Sequence, residues 1–122
     1  KVNNKENLAN CNLAISQSEY KKINKYFPYK KSQIITMGSI AYKVALVAKG
    51  NIDMALSLTK KSDWDLAAAS LILEEAGGII SQKNGDQINY NTKDLSVSSV
   101  IASNKIIHKD LIHQIKENEE NH

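Results

Sequence analysis

The chain predicts an α/β fold: a mainly parallel sheet of about five strands with helices on both faces. Three observations carry that expectation. Short apolar runs rich in Ile, Val and Ala alternate with longer segments of helical periodicity, the pattern of strand–helix–strand units. The steps between them carry Ser, Gly or Asp, residues that cap helix N-termini or relieve tight turns. The length, 122 residues, allows one domain with a real core and little more.

Taken in order, residues 1–10 lack periodicity and read as a flexible N-terminal arm; residues 11–117 carry the α/β unit, and 118–122 a polar tail. Asn12 to Ser16 is an apolar run fit for a buried strand. In the SQSEYKKINKYF segment that follows, Ser16 or Ser18 can cap a helix with Tyr20, Ile23, Tyr26 and Phe27 on one side, and Pro28 stops it. Gln33 to Met37 is β-branched and reads as a second strand. Gly38-Ser39 leads into a helix with Ala41, Val44, Ala45 and Ala48 on one face. Leu46 and Val47 widen that face, and Gly50 closes the helix. Ile52 to Leu58 alternates enough for a third strand.

The next helix is the longest apolar stretch. Ser62 is a good N-cap, and Asp63 and Asp65 fall in the first turn, where carboxylates oppose the positive helix end. Trp64, Ala67, Ala68, Leu71 and Ile72 recur at helical spacing as its apolar face, and Gly77-Gly78 ends it. Glu74-Glu75 stand at the negative end, where acids are disfavoured. Ile79 to Ser81 begins a fourth strand, Asn84-Gly85 is a turn signal, and residues 87–96 are irregular. Residues 98–102 make a last strand. Asn104 then caps a final helix with Ile107, Leu111 and Ile115 on one stripe.

Composition narrows the function. No apolar run approaches the ~18 residues of a membrane span, and the polar start has no signal-peptide pattern. A lone cysteine, Cys11, points to a reducing cytoplasm. Net charge is +3 and every basic residue is lysine, so the planar fork favoured for phosphates and guanine edges is missing. Nucleic-acid binding is therefore disfavoured. His108, His113 and His122 form no metal constellation, and no P-loop, zinc or Ser–His–Asp pattern occurs.

In sheets of this kind ligands sit beyond the carboxyl ends of the strands, at helix N-termini. That rule selects Ser16 and Ser18, Gly38-Ser39, Asp63 and Asp65, and Ser103-Asn104, expected to converge on one edge. A Gly-Ser step offers backbone N–H groups and a hydroxyl to an anion; an ordinary N-cap is the competing reading. Asp65 is either a first-turn stabiliser or a ligand for a hard divalent cation.

Taken together, GSIAYKVALVAKGNID, SDWDLAAASLILEEAGG and VIASN resemble one family. Gly38 to Ala41, Val47 to Asp53, Trp64 to Ala68, Glu75 to Gly78 and Val100 to Asn104 match, in order and spacing, the C-terminal half of the inositol monophosphatase-like phosphatases. As a group these are Mg²⁺-dependent and lithium-sensitive. The resemblance spans about residues 11–116.

The resemblance implies that Asp65 binds a catalytic Mg²⁺ near the substrate's leaving oxygen. It implies that Gly38, Ser39 and the Ile40–Ala41 backbone line the pocket of a small phosphorylated substrate, with Glu75 and the glycines structural. The family's remaining metal ligands, a Glu and an Asp-Pro-x-Asp-Gly-Thr motif in the N-terminal half, do not occur here. Two-metal chemistry needs several carboxylates around ions roughly 3.5–4 Å apart, and this chain offers one convincing ligand. Asp53 is expected at the opposite edge, and Asp63 is a second choice. The isolated chain is thus expected to be inactive, completed by a missing N-terminal half and able to form a homodimer in its full-length form.

As to substrate, Lys43 and the SQSEY segment resemble the 3′(2′),5′-bisphosphate nucleotidase branch. Ser57 or a neighbour stands where the inositol branch carries a Glu. These features favour a bisphosphate nucleotide over an inositol or sugar phosphate. The non-catalytic alternative is a remnant or split-gene subunit that binds a complementary half.

Overall fold

The structure is a computed structural model, and it describes residues 1–2, 11–20, 34–57, 61–62, 66–88, 96–97 and 99–120. Its centre is a five-stranded sheet of β1 (Leu13–Ile15), β2 (Ile34–Thr36), β3 (Met54–Ser57), β5 (Gly78–Ser81) and β7 (Val100–Asn104). The spatial order is β2-β1-β3-β7-β5. A second, two-stranded ribbon pairs β4 (Lys61–Ser62) with β6 (Ser96–Val97). Three α-helices are described: α1 (Ile40–Ala48), α2 (Leu66–Glu75) and α3 (Lys105–Glu120).

The sheet is mixed. β1 pairs parallel with β2 and β3, whereas β7 pairs antiparallel with β3 and β5. Four strands therefore run one way and only β7 is reversed. After Ser81 the chain turns at Asn84-Gly85, with Gly85 at φ +93° and its N–H on the Gln82 carbonyl at 2.9 Å.

This reversal corrects one expectation. Ser103 and Asn104 pair with Met54 and Gly78, the first residues of β3 and β5. They lie at the amino edge, opposite Ser16 and Gly38-Ser39, and do not join that group. Asp53 also lies at the amino edge, as expected, where its Oδ2 accepts the Asn12 N–H at 2.6 Å.

Strand alternation builds two cores. Ala14, Ala55, Val100 and Ala102 face the layer of α1 and α2 with Val44, Val47, Leu66 and Leu73. Leu13, Ile15, Met54, Leu56 and Ile101 face the other side with Cys11 and with Ile107, Leu111 and Ile115 of α3. Small residues on the first face let two helices sit close, and larger ones fill the second. The stripe expected on the last helix is fully buried, and Asn104 caps that helix, its Oδ1 accepting the Ile107 N–H at 2.9 Å.

α2 departs from its expected face. Leu66, Ala69, Ser70 and Leu73 are buried, while Leu71 and Ile72 are 62% and 53% exposed. The sequence offers no single phase here, because residues 66–69 and 71–73 are all apolar. Ser70, which sits between those two runs, turns inward and donates its hydroxyl to the Ala67 carbonyl at 2.8 Å. Ser62 is likewise not a helix cap but a strand residue opposite Ser96. Gly77, at φ +93°, ends α2 in the left-handed conformation, and Gly78 already belongs to β5.

The segment expected as a helix from Ser16 or Ser18 starts as a short 3-10 turn, Gln17–Glu19, without a side-chain cap from Ser16. Its Ile23, Tyr26 and Phe27 lie outside the described residues, as do residues 3–10 of the arm. Val2 of that arm donates its N–H to the Ala76 carbonyl at 3.1 Å and packs on the α1–α2 core.

Candidate functional site

Four strands end at one edge, and the exits of three of them form the candidate site. β1 ends at Ile15, β2 at Thr36 and β3 at Ser57. α1 begins there because it follows β2 by three residues. α2 ends at Glu75, beside the start of β5 at the amino edge, so its N-terminal end also points to the carboxyl edge. Both helices aim their positive ends at the same side of the sheet.

A cavity of about 270 Å³ opens between β1 and β2, lined by Ser16, Gln17, Thr36, Met37 and Gly38. Gly38 is informative. A Cβ built on it meets no atom within 4 Å, and its φ is not in the left-handed range. Nothing in the described fold requires glycine at this position, and the space above it is open. Ser39 is exposed and caps α1, its Oγ accepting the Tyr42 N–H at 3.3 Å. The long distance makes this a weak bond that a competing anion can displace. The Ile40 side chain is buried, which leaves its backbone as the part that can face the edge, and Ala41 is half-buried.

The structure does not bring Lys43 to the cavity. It shares the inward stripe of Ile40, Val44, Val47 and Ala48 and is fully buried. The physical reason is helix phase: i+3 from buried Ile40 is again the sheet side. Asp63, Trp64 and Asp65 lie outside the described residues. Ser16 is half-buried and lines the cavity.

One feature of this edge escaped the sequence. Glu19, 1% exposed, accepts a hydrogen bond from the Ser57 hydroxyl at 3.2 Å, tying the turn after β1 to the end of β3. No spacing rule singles out an acid inside SQSEY. Gln17, Thr36 and Met37 were missed for the same reason: they line the cavity through the register of two strands far apart in sequence. Among the described residues no group of three or more His, Cys, Asp or Glu could hold a metal ion. The described residues therefore do not form a metal centre by themselves.

A carboxyl edge where parallel strands end and two helices begin is the place at which α/β domains commonly bind their ligands. The model of the inositol monophosphatase family matches residues 3–120, and the chain belongs to that family, whose members are phosphatases. The bifunctional NADP phosphatase/NAD kinase of Methanococcus maripaludis is 40% identical over 81 residues, 66% of this chain and 14% of that protein. The 3′(2′),5′-bisphosphate nucleotidase of Dictyostelium discoideum is 37% identical over 61% of this chain and 24% of its own length. The inositol-1-monophosphatase of Mesorhizobium japonicum is 36% identical over 70% and 30% respectively. Among solved structures, an IMPase of Thermotoga maritima superimposes with a TM-score of 0.79 at 25% identity, covering 99% of this chain and 46% of that one. The chain thus spans about half the length of that structure and less than a third of these three relatives.

Proposed function

We propose that this chain is the C-terminal half of a Mg²⁺-dependent phosphomonoesterase. In this reading it supplies the phosphate-binding edge and one metal ligand, Asp65, while the other ligands come from a second half. The observation that carries the reading is the cavity at the ends of β1 and β2, with open space over Gly38 and the start of α1 beside it. Gly38, Ser39 and the Ile40–Ala41 backbone receive the phosphate. Asp65, next in sequence to the first residue of α2, is the carboxylate at the neighbouring helix. One carboxylate does not hold a catalytic ion pair, so the chain alone has negligible activity.

For the substrate we favour a 3′(2′),5′-bisphosphate nucleotide, and an inositol or sugar phosphate is the second reading. Support comes from the SQSEY segment and from β3, which ends in Ser57 with its hydroxyl turned to Glu19. The exposed Tyr42, Leu71 and Ile72 support the need for a second half, since apolar groups on the outside of a helix layer are what another layer covers. Whether that half precedes Lys1 in one reading frame or is a separate polypeptide, the reading is the same. The protein acts in the cytoplasm.

The test is activity with Mg²⁺ on a bisphosphate nucleotide and on inositol 1-phosphate, for the chain alone and with the N-terminal half supplied. The chain alone should be inactive, and the completed protein active and silenced by Asp65→Asn. Turnover by the isolated chain that is lost in Asp65→Asn would overturn the split site. A completed protein indifferent to Asp65→Asn would overturn the role of Asp65, and a completed protein without activity would favour a binding-only remnant.

A further inference from the structure

On the opposite face of the sheet, His108 of α3 is 5% exposed and bridges two strands. Its Nε2 lies 2.8 Å from Ser81 Oγ of β5, and its Nδ1 lies 3.3 Å from Ser103 Oγ of β7. Each hydroxyl also donates to a backbone carbonyl, Ser81 to Gln82 at 2.8 Å and Ser103 to Asn104 at 2.9 Å. We propose that the Ser81–His108–Ser103 chain is an acid-released clasp that holds α3 on the β5–β7 side of the sheet.

Proton counting shows how it works. The neutral ring and two hydroxyls bring three protons to four contacts. Either ring nitrogen can carry the proton; placed on Nε2, it is donated to Ser81. The Ser103 proton is then shared between Nδ1 and the Asn104 carbonyl. A protonated ring could fill all four contacts, but only by placing a full charge in an apolar layer. That layer is built from Leu13, Ile15, Met54, Leu56 and Ile101 of the sheet, Ile107, Leu111 and Ile115 of α3, and the Cys11 thiol.

The strands β1, β3, β5 and β7 read LAI, MALS, GIIS and VIASN and carry no carboxylate; Asp53, just before β3, accepts the Asn12 N–H, and Lys83 and exposed Asp86 lie in the turn whose Gly85 meets Ile112. On α3 itself Lys105, Lys109 and Asp110 are exposed. Glu74 and Lys105 line the cavity onto which Ser81 opens. One added hydrogen bond does not compensate a buried unpaired charge. Burial accordingly lowers the His108 pKa from 6.5 to about 4. The sign follows: the open state binds the proton more readily, so closure weakens as pH falls below 6.5.

Hydrogen exchange on the full chain tests this. Between pH 7.5 and 5.5 the protection factors of the α3 amides around Leu111 and Ile115 should fall about tenfold, with a smaller loss at Ala55 and Leu56 of β3. His108→Gln, which keeps a donor and an acceptor but does not titrate, should remove the pH dependence. A ring titration of the unsubstituted chain by NMR gives an independent readout, with a midpoint well below 6.5 expected. Unchanged protection in α3, an equal loss in β3, a pH dependence retained by His108→Gln, or a midpoint at or above 6.5 would each overturn the clasp.

Discussion

Two glycines near strand ends carry opposite reasons for being glycine. At Gly78 an added Cβ would stand 3.0 Å from the Ser103 carbonyl and closer still to the Leu73 side chain. Gly78→Ala should therefore destabilise by roughly 1–3 kcal/mol, read as a lower midpoint in denaturant. At Gly38 the same methyl meets nothing. Gly38→Ala should leave the fold unchanged or firmer by up to about 1 kcal/mol, and under the proposed phosphate-binding role it should raise KM severalfold once the second half is supplied. Melting curves and kinetics on one protein separate the two. Both glycines belong to recognisable motifs in the sequence, but only the neighbours of each Cα tell packing from ligand space.

Among the helices, the Ser39 and Asn104 caps were legible, Ser62 and Ser16 were not caps, and the buried faces were only partly legible. The Asn104 cap and the stripe of α3 needed nothing beyond spacing, because polar residues mark the outer side of that helix. Asn104→Ala should cost about 1 kcal/mol of stability by orphaning the Ile107 N–H. α2 has no such marking. Leu73→Ala should destabilise by about 2–5 kcal/mol, whereas Leu71→Ala should change stability by less than about 1 kcal/mol. Equal effects in chemical denaturation would contradict the helix phase described here. The helix expected between Gly38-Ser39 and Gly50 forms as Ile40–Ala48, but its phase carries Lys43 inward, away from the cavity.

For the molecule as a whole, the exposed apolar groups matter more than the buried ones. Tyr42 on α1 and Leu71 and Ile72 on α2 are 59%, 62% and 53% exposed, on helices that pack against each other. The matched IMPase of Thermotoga maritima is about twice as long as this chain. If the outer helix face receives the second half, Leu71→Lys with Ile72→Lys should leave the isolated fold intact. The same pair should reduce self-association in sedimentation and prevent an added N-terminal half from restoring activity. Restored activity at full level would place the joining surface elsewhere.

Much of the strand and helix order, the Ser39 and Asn104 caps and the motif set that marks the family were present in the residues, because each rests on spacing within ten or so positions. The reversed β7, the β4–β6 ribbon, the inward turn of Ser70 and Lys43, and the Glu19–Ser57 and Ser81–His108–Ser103 contacts were decided only by the tertiary structure. They join residues distant in sequence, or choose one side of a helix that is apolar nearly all round. Local propensity carries no information about partners that meet only when the sheet closes.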